Sequence, residues 1–168
     1  MRFKFKKLRI IIFFSLSISS QLSAQKAAII LNENDSNATY KVKLSDEIAS
    51  CIKDIEEGNS DKIITLFLEN IDNKFDSAVG LNLYLVHKDH PDSIQFLTSE
   101  TFPKANTSLG YPSKATYRIE LNSYLNDTEY STLLYSSFFI LKMQLINFSN
   151  TPMRGNLVID NIKVTCTR

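Results

Sequence analysis

Two histidines and two aspartates lie close together in the sequence, and both are side-chain types that bind metal ions. They are His87, Asp89, His90 and Asp92. The chain has no other histidine, so His87 and His90 could form a metal site only if carboxylates from another segment completed it. Together with Pro91, the same residues are also typical of a solvent-exposed hairpin turn. Metal binding at His87 and His90 is one prediction, and a turn without a metal ion is the other.

Two motifs that would indicate an enzyme are absent from the sequence. There is no G-x-S-x-G nucleophile motif, and four glycines are too few for a phosphate-binding loop. The carboxylates include Glu69, Asp72, Asp76 and Glu100, and whether any two form a glycosidase-like pair depends on their separation in space. We therefore predict no catalytic residue and no cofactor, and the carboxylate pair remains the alternative.

Four tyrosines in predicted loop or connecting segments could bind a ligand. Tyr111 lies in a segment with Pro and Gly, and Tyr124, Tyr130 and Tyr135 lie between two predicted strands. An exposed tyrosine can stack on a sugar or occupy a pocket of a protein partner. The alternative is that these side chains cover strand edges and the margin of the core.

The two cysteines, Cys51 and Cys166, could form one disulfide. Such a bond would close a loop of about 115 residues, for which the chain-entropy model gives a stabilisation of roughly 4–5 kcal/mol. The alternative is two unpaired thiols, because sequence alone does not place two Cα atoms within bonding range.

The N-terminus has the pattern of a secretory signal peptide. Five basic residues within residues 2–9 precede an apolar stretch at 10–18, and the small residue Ala24 ends the segment. An uncleaved N-terminal anchor is the alternative, although the apolar stretch is shorter than the roughly 20 residues of a membrane-spanning helix. Cleavage after Ala24 removes no acidic residue and changes the net charge from +1 to −4. We therefore predict a secreted, periplasmic or extracellular protein that has no stable membrane span and binds no nucleic acid.

Hydrophobic periodicity predicts one short helix near the N-terminus. Ile48, Cys51, Ile52 and Ile55 have the spacing of one helix face, and Ser45 is a suitable N-cap. This face would direct Cys51 toward the core.

The other segments have the pattern of β-strands. Extended structure is predicted for residues 25–31, 40–44, 62–71, 80–87, 94–97, 115–122, 138–146 and 155–165. In the last of these, the apolar phase changes near residues 160–161, which predicts a β-bulge there. The predicted fold is mainly β, an antiparallel, jelly-roll-like β-sandwich. The predicted organisation is a signal peptide at 1–24 and one domain at 25–168, in which 25–61 precedes a sandwich core at 62–168.

Several of these strand sequences follow one another in the order found in a known family. They are LENI (68–71), LNLYLV (81–86), IQFL (94–97), YRIEL (117–121), LKMQL (141–145) and LVIDNIKV (157–164). This order resembles the C-terminal β domain of plant polyphenol oxidases and of some bacterial tyrosinase-type enzymes. The ending IDNIKV is also similar to that of galactose-binding-like jelly rolls in carbohydrate-binding modules.

The resemblance to the oxidases implies an accessory role without catalysis. The copper centre of that family is bound by six histidines of a separate helical domain, whereas this chain has two histidines and lacks that domain. The resemblance therefore implies a free-standing relative of the domain that covers the oxidase active site, with a protein partner that could be a copper oxidase. The alternative function is that of a carbohydrate-binding module, whose partner would be a glycan.

Overall fold

The computed structural model describes residues 28–87, 92–104, 114–125, 137–149 and 151–168, and these residues form eight strands and two helices. In chain order the elements are β1 (Ile29–Leu31), β2 (Asn37–Lys43), α1 (Asp46–Glu56), β3 (Ile63–Asn73), β4 (Val79–Val86), β5 (Ile94–Phe102), β6 (Ala115–Glu120), α2 (Asn122–Leu125), β7 (Phe138–Asn147) and β8 (Leu157–Thr167). The predicted signal peptide lies outside the described residues. Within them, no helix is long and apolar enough to cross a membrane.

The strands pair as a long antiparallel hairpin that is rolled into two sheets. Strand β4 pairs with β5, β3 with β6, β2 with β7 and β1 with β8, so the pairs are nested. One sheet has the order β1-β8-β3-β6, and the other has the order β2-β7-β4-β5. Eight strands in two sheets with this nesting are typical of a jelly roll. The predicted antiparallel β-sandwich is confirmed.

The core lies between the two sheets and is formed by the inward side of each alternating strand. In β4 the inward side chains are Leu81, Leu83 and Leu85, all fully buried, as their spacing predicts. In β7 the inward side chains are Phe139, Leu141, Met143 and Leu145, and all four are buried. The opposite sides of β4 and β7 therefore form part of an outer surface of the sandwich.

Helix α1 is tied to the sandwich by a disulfide. The Ile48 backbone N–H donates to Ser45 Oγ at 3.3 Å, so Ser45 is the N-cap, and the buried side of the helix includes Ile48, Cys51 and Ile52. Cys51 is bonded to Cys166 of β8, with their Cα atoms 6.5 Å apart. The predicted helix and the predicted disulfide are both confirmed, and the alternative of two free thiols is excluded.

The prediction of one helix is incomplete, because β6 ends at Glu120 and a second helix, α2, begins at Asn122. The Asn122 side chain accepts a hydrogen bond from the Ile64 N–H at 2.8 Å and donates to the Lys62 carbonyl oxygen at 2.8 Å. These side-chain bonds replace the backbone bonds that another residue of β6 would make with β3. The backbone is thereby free to turn into a helix at this point.

The irregularity predicted near residues 160–161 lies instead on the partner strand. Between the pairs Leu68↔Ile162 and Ile71↔Ile159, β3 and β8 contain the same number of residues, so neither strand has an extra residue against the other. The register between β3 and β6, in contrast, shifts after Leu68. Asn70 has a φ of 54°, a left-handed conformation that asparagine tolerates better than most residues. The phase change in β8, where Ile159 and Ile162 are both buried, therefore lies beside a bulge in β3 against β6.

The end of β3 is fixed to the segment before β8 by close backbone contact. The Lys74 N–H donates to the Asn156 carbonyl oxygen at 2.9 Å, and the Asp76 N–H donates to the Arg154 carbonyl oxygen at 3.1 Å. Gly155 lies between these bonds with a φ of 125°. A Cβ atom at Gly155 would come within 2.7 Å of Phe75 Cα, so only glycine fits here.

Candidate protein-interaction surface

The predicted metal ligands lie at the end of β4, and one of them is described. The His87 backbone N–H donates to the Ser93 carbonyl oxygen at 3.0 Å, which closes the connection between β4 and β5. His90 lies outside the described residues. Among the described residues, no group of three or more His, Cys, Asp or Glu side chains is close enough to hold a metal ion. Metal binding at His87 and His90 remains a prediction.

Of the four predicted binding tyrosines, the structure describes Tyr124, and Tyr111, Tyr130 and Tyr135 lie outside the described residues. Tyr124 is part of α2, its ring packs against the core, and its hydroxyl donates to the Leu97 carbonyl oxygen at 2.7 Å. This bond joins α2 to β5. Tyr124 therefore connects parts of the fold, and its role in binding remains a prediction.

A second tyrosine lies nearby, where the edge strand β6 of one sheet meets the edge strand β5 of the other. We call this meeting of the two edges the seam. The hydroxyl of Tyr117 in β6 is 3.2 Å from the hydroxyl oxygen of Thr98 in β5. Burial raises the pKa of Tyr117, and a hydrogen bond to Glu100 raises it further. Glu100 is paired with the inward-pointing Leu81, so its carboxylate faces the seam and not the outer surface of the β4 sheet.

The outer surface of the β1-β8-β3-β6 sheet has charges that are paired with one another. Arg118 forms an ion pair with Glu120 at 2.8 Å, and Lys163 forms one with Glu69. Asn161 also donates to Glu69 at 2.8 Å, and the bonds from Lys163 and Asn161 hold the pKa of the Glu69 carboxyl below its usual value. This surface is charged but locally neutralised, as is typical of a solvated face.

The outer surface of the β2-β7-β4-β5 sheet differs, because large apolar side chains are exposed on it. Tyr84 of β4 lies opposite Phe96 of β5 and opposite Lys142 of β7, and paired residues point to the same side of a sheet. Phe96 is 49% exposed and Ile94 is 44% exposed. We name this surface the lysine–aromatic face and define it by Lys41, Lys43, Tyr84, Ile94, Phe96, Lys142 and Phe148.

The aromatic rings of this face are held in place by their neighbours. The Tyr84 and Phe96 rings meet edge to face, with centroids 5.6 Å apart and planes at 66°. The Tyr84 hydroxyl accepts a hydrogen bond from Asn82 and donates one to Gln144, each at 3.1 Å. Hydrogen bonds to Asn82 and Gln144 therefore hold the Tyr84 ring in place, and the Phe96 ring packs against it.

A further exposed ring lies at the other end of β4. Phe148 is 59% exposed and follows β7, and its ring lies over Gly80. A Cβ atom at Gly80 would come within 2.6 Å of Phe148 Cζ. The missing side chain at Gly80 thus provides the space in which the Phe148 ring lies against the sheet.

The lysines of the face have no acidic partner in the part of the chain that the structure describes. The ion pairs of the described residues include none made by Lys41, Lys43 or Lys142. Lys41 Nζ instead lies 3.5 Å from the centroid of the Phe138 ring. No Asp or Glu is among the outward-pointing residues of the four strands, so the face is basic as well as apolar.

This face was not among the predictions from the sequence. A signal was present in the strand Ile94–Phe102, where Ile94 and Phe96 alternate with Gln95 and Leu97 and so place apolar residues on both sides. The alternation shows that one of the two sides is not in the core. Which strands lie beside it depends on sheet order, which the sequence pattern does not contain.

Comparison with known proteins shows the fold. No family model matches the sequence, and no curated protein matches it. The structure is similar to that of latent apple tyrosinase, with a TM-score of 0.52 and 18% identity over 84% of this chain and 28% of that chain. It is also similar to a recombinantly expressed latent aurone synthase, a polyphenol oxidase, co-crystallised with hexatungstotellurate(VI) and soaked in H2O2. That match has a TM-score of 0.50 and 16% identity, over 82% of this chain and 25% of the other.

These matches confirm, at the level of fold, the resemblance to the C-terminal β domain of polyphenol oxidases. The chain spans about a quarter of the length of the oxidases that it matches, which fits a C-terminal domain.

Proposed function

We propose that this protein is an exported, non-catalytic accessory domain that binds a tyrosinase-type copper oxidase present on a separate chain. In this proposal it lies over the oxidase active site and lowers the rate of oxidation until it is released. The matched oxidases contain a region of this fold within their own chains, whereas here the same fold would act in trans.

The observation that supports the proposal is the extent of the structural match. The similarity to latent apple tyrosinase covers 84% of this chain but 28% of the oxidase. The fold therefore corresponds to one region of a larger enzyme and leaves out most of it. With two histidines in the whole sequence, this chain could not by itself supply the six-histidine copper centre that the resemblance implies. A partner that brings its own copper centre accounts for both facts.

The proposed export is supported by two features of the chain. Residues 1–24 have the charge and apolar pattern of a signal peptide. The disulfide between Cys51 and Cys166 is of the kind that persists in oxidising compartments. Both features support a location of the proposed complex outside the cytosol.

The alternative function, binding of a glycan, is not favoured by the exposed aromatic rings. Stacking on a sugar needs an open ring face, but the Tyr84 and Phe96 planes are inclined at 66° to each other. They do not form one flat platform, and the Tyr84 hydroxyl is already bonded to Asn82 and Gln144. An uneven protein surface can pack against inclined rings of this kind better than a flat sugar ring can.

The test uses residues 25–168, purified with the disulfide formed. The partner is a tyrosinase-type oxidase from the same organism, prepared without any region of this fold. We expect a 1:1 complex in size-exclusion chromatography and a rate of diphenol oxidation that falls as the accessory chain is added. Bovine serum albumin at the same concentration controls for non-specific effects. No complex and an unchanged rate at about 100 µM would refute the proposal, and binding on a glycan array instead would favour the alternative.

A further inference from the structure

We infer that the lysine–aromatic face is the surface through which the chain docks on its partner, and that the partner presents an apolar patch bordered by carboxylates. This inference rests on the proposed function and deepens it, because it names the face and the chemistry of the surface that it fits. The observations behind it are the exposed rings, the lysines without acidic partners and the contrast with the other sheet.

The contrast between the two sheets is the first step. Both outer surfaces contain basic residues, but on the β1-β8-β3-β6 sheet Arg118 and Lys163 each pair with a glutamate of the same surface. On the β2-β7-β4-β5 sheet Lys41, Lys43 and Lys142 have no such partner among the described residues. One surface is neutralised from within the chain, and the other leaves its positive charge available to a ligand.

The arrangement of the lysine–aromatic face specifies how a partner would lie on it. Ile94 and Phe96 are on β5, at one edge of the sheet, and Lys41 is on β2, at the opposite edge. Strands are about 4.8 Å apart, so three spacings separate these edges by about 14 Å. The partner therefore needs apolar side chains on one side of the contact and carboxylates that face Lys142 on β7 and Lys41 on β2, the latter about 14 Å from the apolar edge.

The size of the face indicates a weak, reversible contact. Residues 80–86 of β4 cover about 20 Å along the strand, so the four strands present about 300 Å². Stable interfaces bury about 800 Å² on each partner. Unless other parts of the chain add to the contact, we expect a dissociation constant in the micromolar range.

A protein fits this face better than an anionic membrane, which also attracts lysines and apolar groups. The apolar side chains of Ile94 and Phe96 belong to a strand within the sheet and are only about half exposed. Each lysine near an anionic bilayer contributes only about 1 kcal/mol to binding. Half-exposed apolar side chains that are held within a sheet and bordered by lysines are typical of a protein interface.

The experiment compares variants of the lysine–aromatic face with a matched variant of the opposite surface. Lys142→Glu and Phe96→Ala alter the face, and Arg118→Glu makes the same change of charge on the other sheet. Biolayer interferometry with the copper oxidase described above measures binding at 50 and 300 mM NaCl. Thermal unfolding checks that each variant is folded.

We expect Lys142→Glu and Phe96→Ala each to weaken binding at least tenfold, and Arg118→Glu to change it less than twofold. Binding of the wild-type chain should fall as salt is raised. If the wild-type chain binds and the two face variants bind equally well, the docking face is wrong and the proposed function stands. If the wild-type chain does not bind, both are wrong. Binding only to vesicles with 30% phosphatidylserine would show a membrane ligand and would overturn the inference.

Discussion

Removing the disulfide between Cys51 and Cys166 should destabilise the protein strongly. The two residues are 115 positions apart in the sequence. The chain-entropy model then gives about 16 cal/mol/K of lost entropy in the unfolded chain, or about 4.8 kcal/mol at 25 °C. Domains of this size have total unfolding free energies of about 5–15 kcal/mol. One bond therefore contributes a third or more of the stability expected for this fold.

The assay is urea unfolding of the wild-type chain and of the Cys51→Ala/Cys166→Ala variant, followed by circular dichroism. Alanine is used because Cys51 is buried, and a serine hydroxyl there would add a second effect. With a slope of about 2 kcal/mol/M, the loss of 4.8 kcal/mol lowers the midpoint by about 2 M. The slope itself should increase, because the unfolded chain opens further without the cross-link.

A reducing agent provides the control. Tris(2-carboxyethyl)phosphine should move the unfolding midpoint of the wild-type chain toward that of the variant and leave the variant unchanged. A midpoint shift below about 0.5 M corresponds to about 1 kcal/mol and would refute the reasoning. It would mean that strand pairing in the unfolded ensemble already restricts the loop, so that the bond removes little further entropy.

Two further predictions concern a glycine and a carboxylate. Gly155→Ala should destabilise the fold by about 3 kcal/mol or more, because the new Cβ atom would meet Phe75 Cα at 2.7 Å. Gly58→Ala, at a φ of 71° with no atom within 4 Å, should cost only about 1 kcal/mol, so equal losses in thermal unfolding would contradict this account. Burial, with a smaller effect of Glu57, raises the pKa of Glu56 above 4.5, so its ionised form destabilises the fold at neutral pH. Glu56→Gln should thus be the more stable protein at pH 7 by differential scanning fluorimetry, and its advantage should disappear toward pH 4.

Much of the fold could be predicted because its signals are local. The alternation of Leu81, Leu83 and Leu85 marks the buried side of β4 without reference to any other strand. The spacing of Ile48, Cys51 and Ile52 does the same for α1. Such patterns were sufficient for the presence of the strands, the first helix and the class of fold, although β5 extends to Phe102, beyond its predicted end at residue 97.

The errors occurred where structure depends on a partner segment. Helix α2 has four residues, too few for a periodic pattern, and it begins where the Asn122 side chain takes over bonds to β3. The bulge expected near residues 160–161 was assigned to the wrong strand, since the register shift occurs between β3 and β6 and β8 has no extra residue against β3. Neither feature can be read from one segment alone.

The candidate site was harder to predict than the fold for the same physical reason. Lys41, Tyr84, Phe96 and Lys142 belong to four different strands, and the nested pairing of the jelly roll brings them to one surface. In the sequence, each of these residues has the pattern of an ordinary outward-facing residue of a strand. Their shared chemistry, apolar at one edge and basic at the other, follows only from the strand order.

The net charge of the chain alone would not have predicted a basic docking surface. Cleavage after residue 24 would leave a chain with a net charge of −4, which suggests a basic partner if charge is taken as uniform. The described strands instead place the unpaired lysines on one sheet, and the other sheet pairs its basic residues with Glu69 and Glu120. At physiological ionic strength, screening over about 8 Å makes the nearest charges decisive. An approaching protein is therefore oriented by the lysines of the face that it contacts, and an acidic chain can favour an acidic partner.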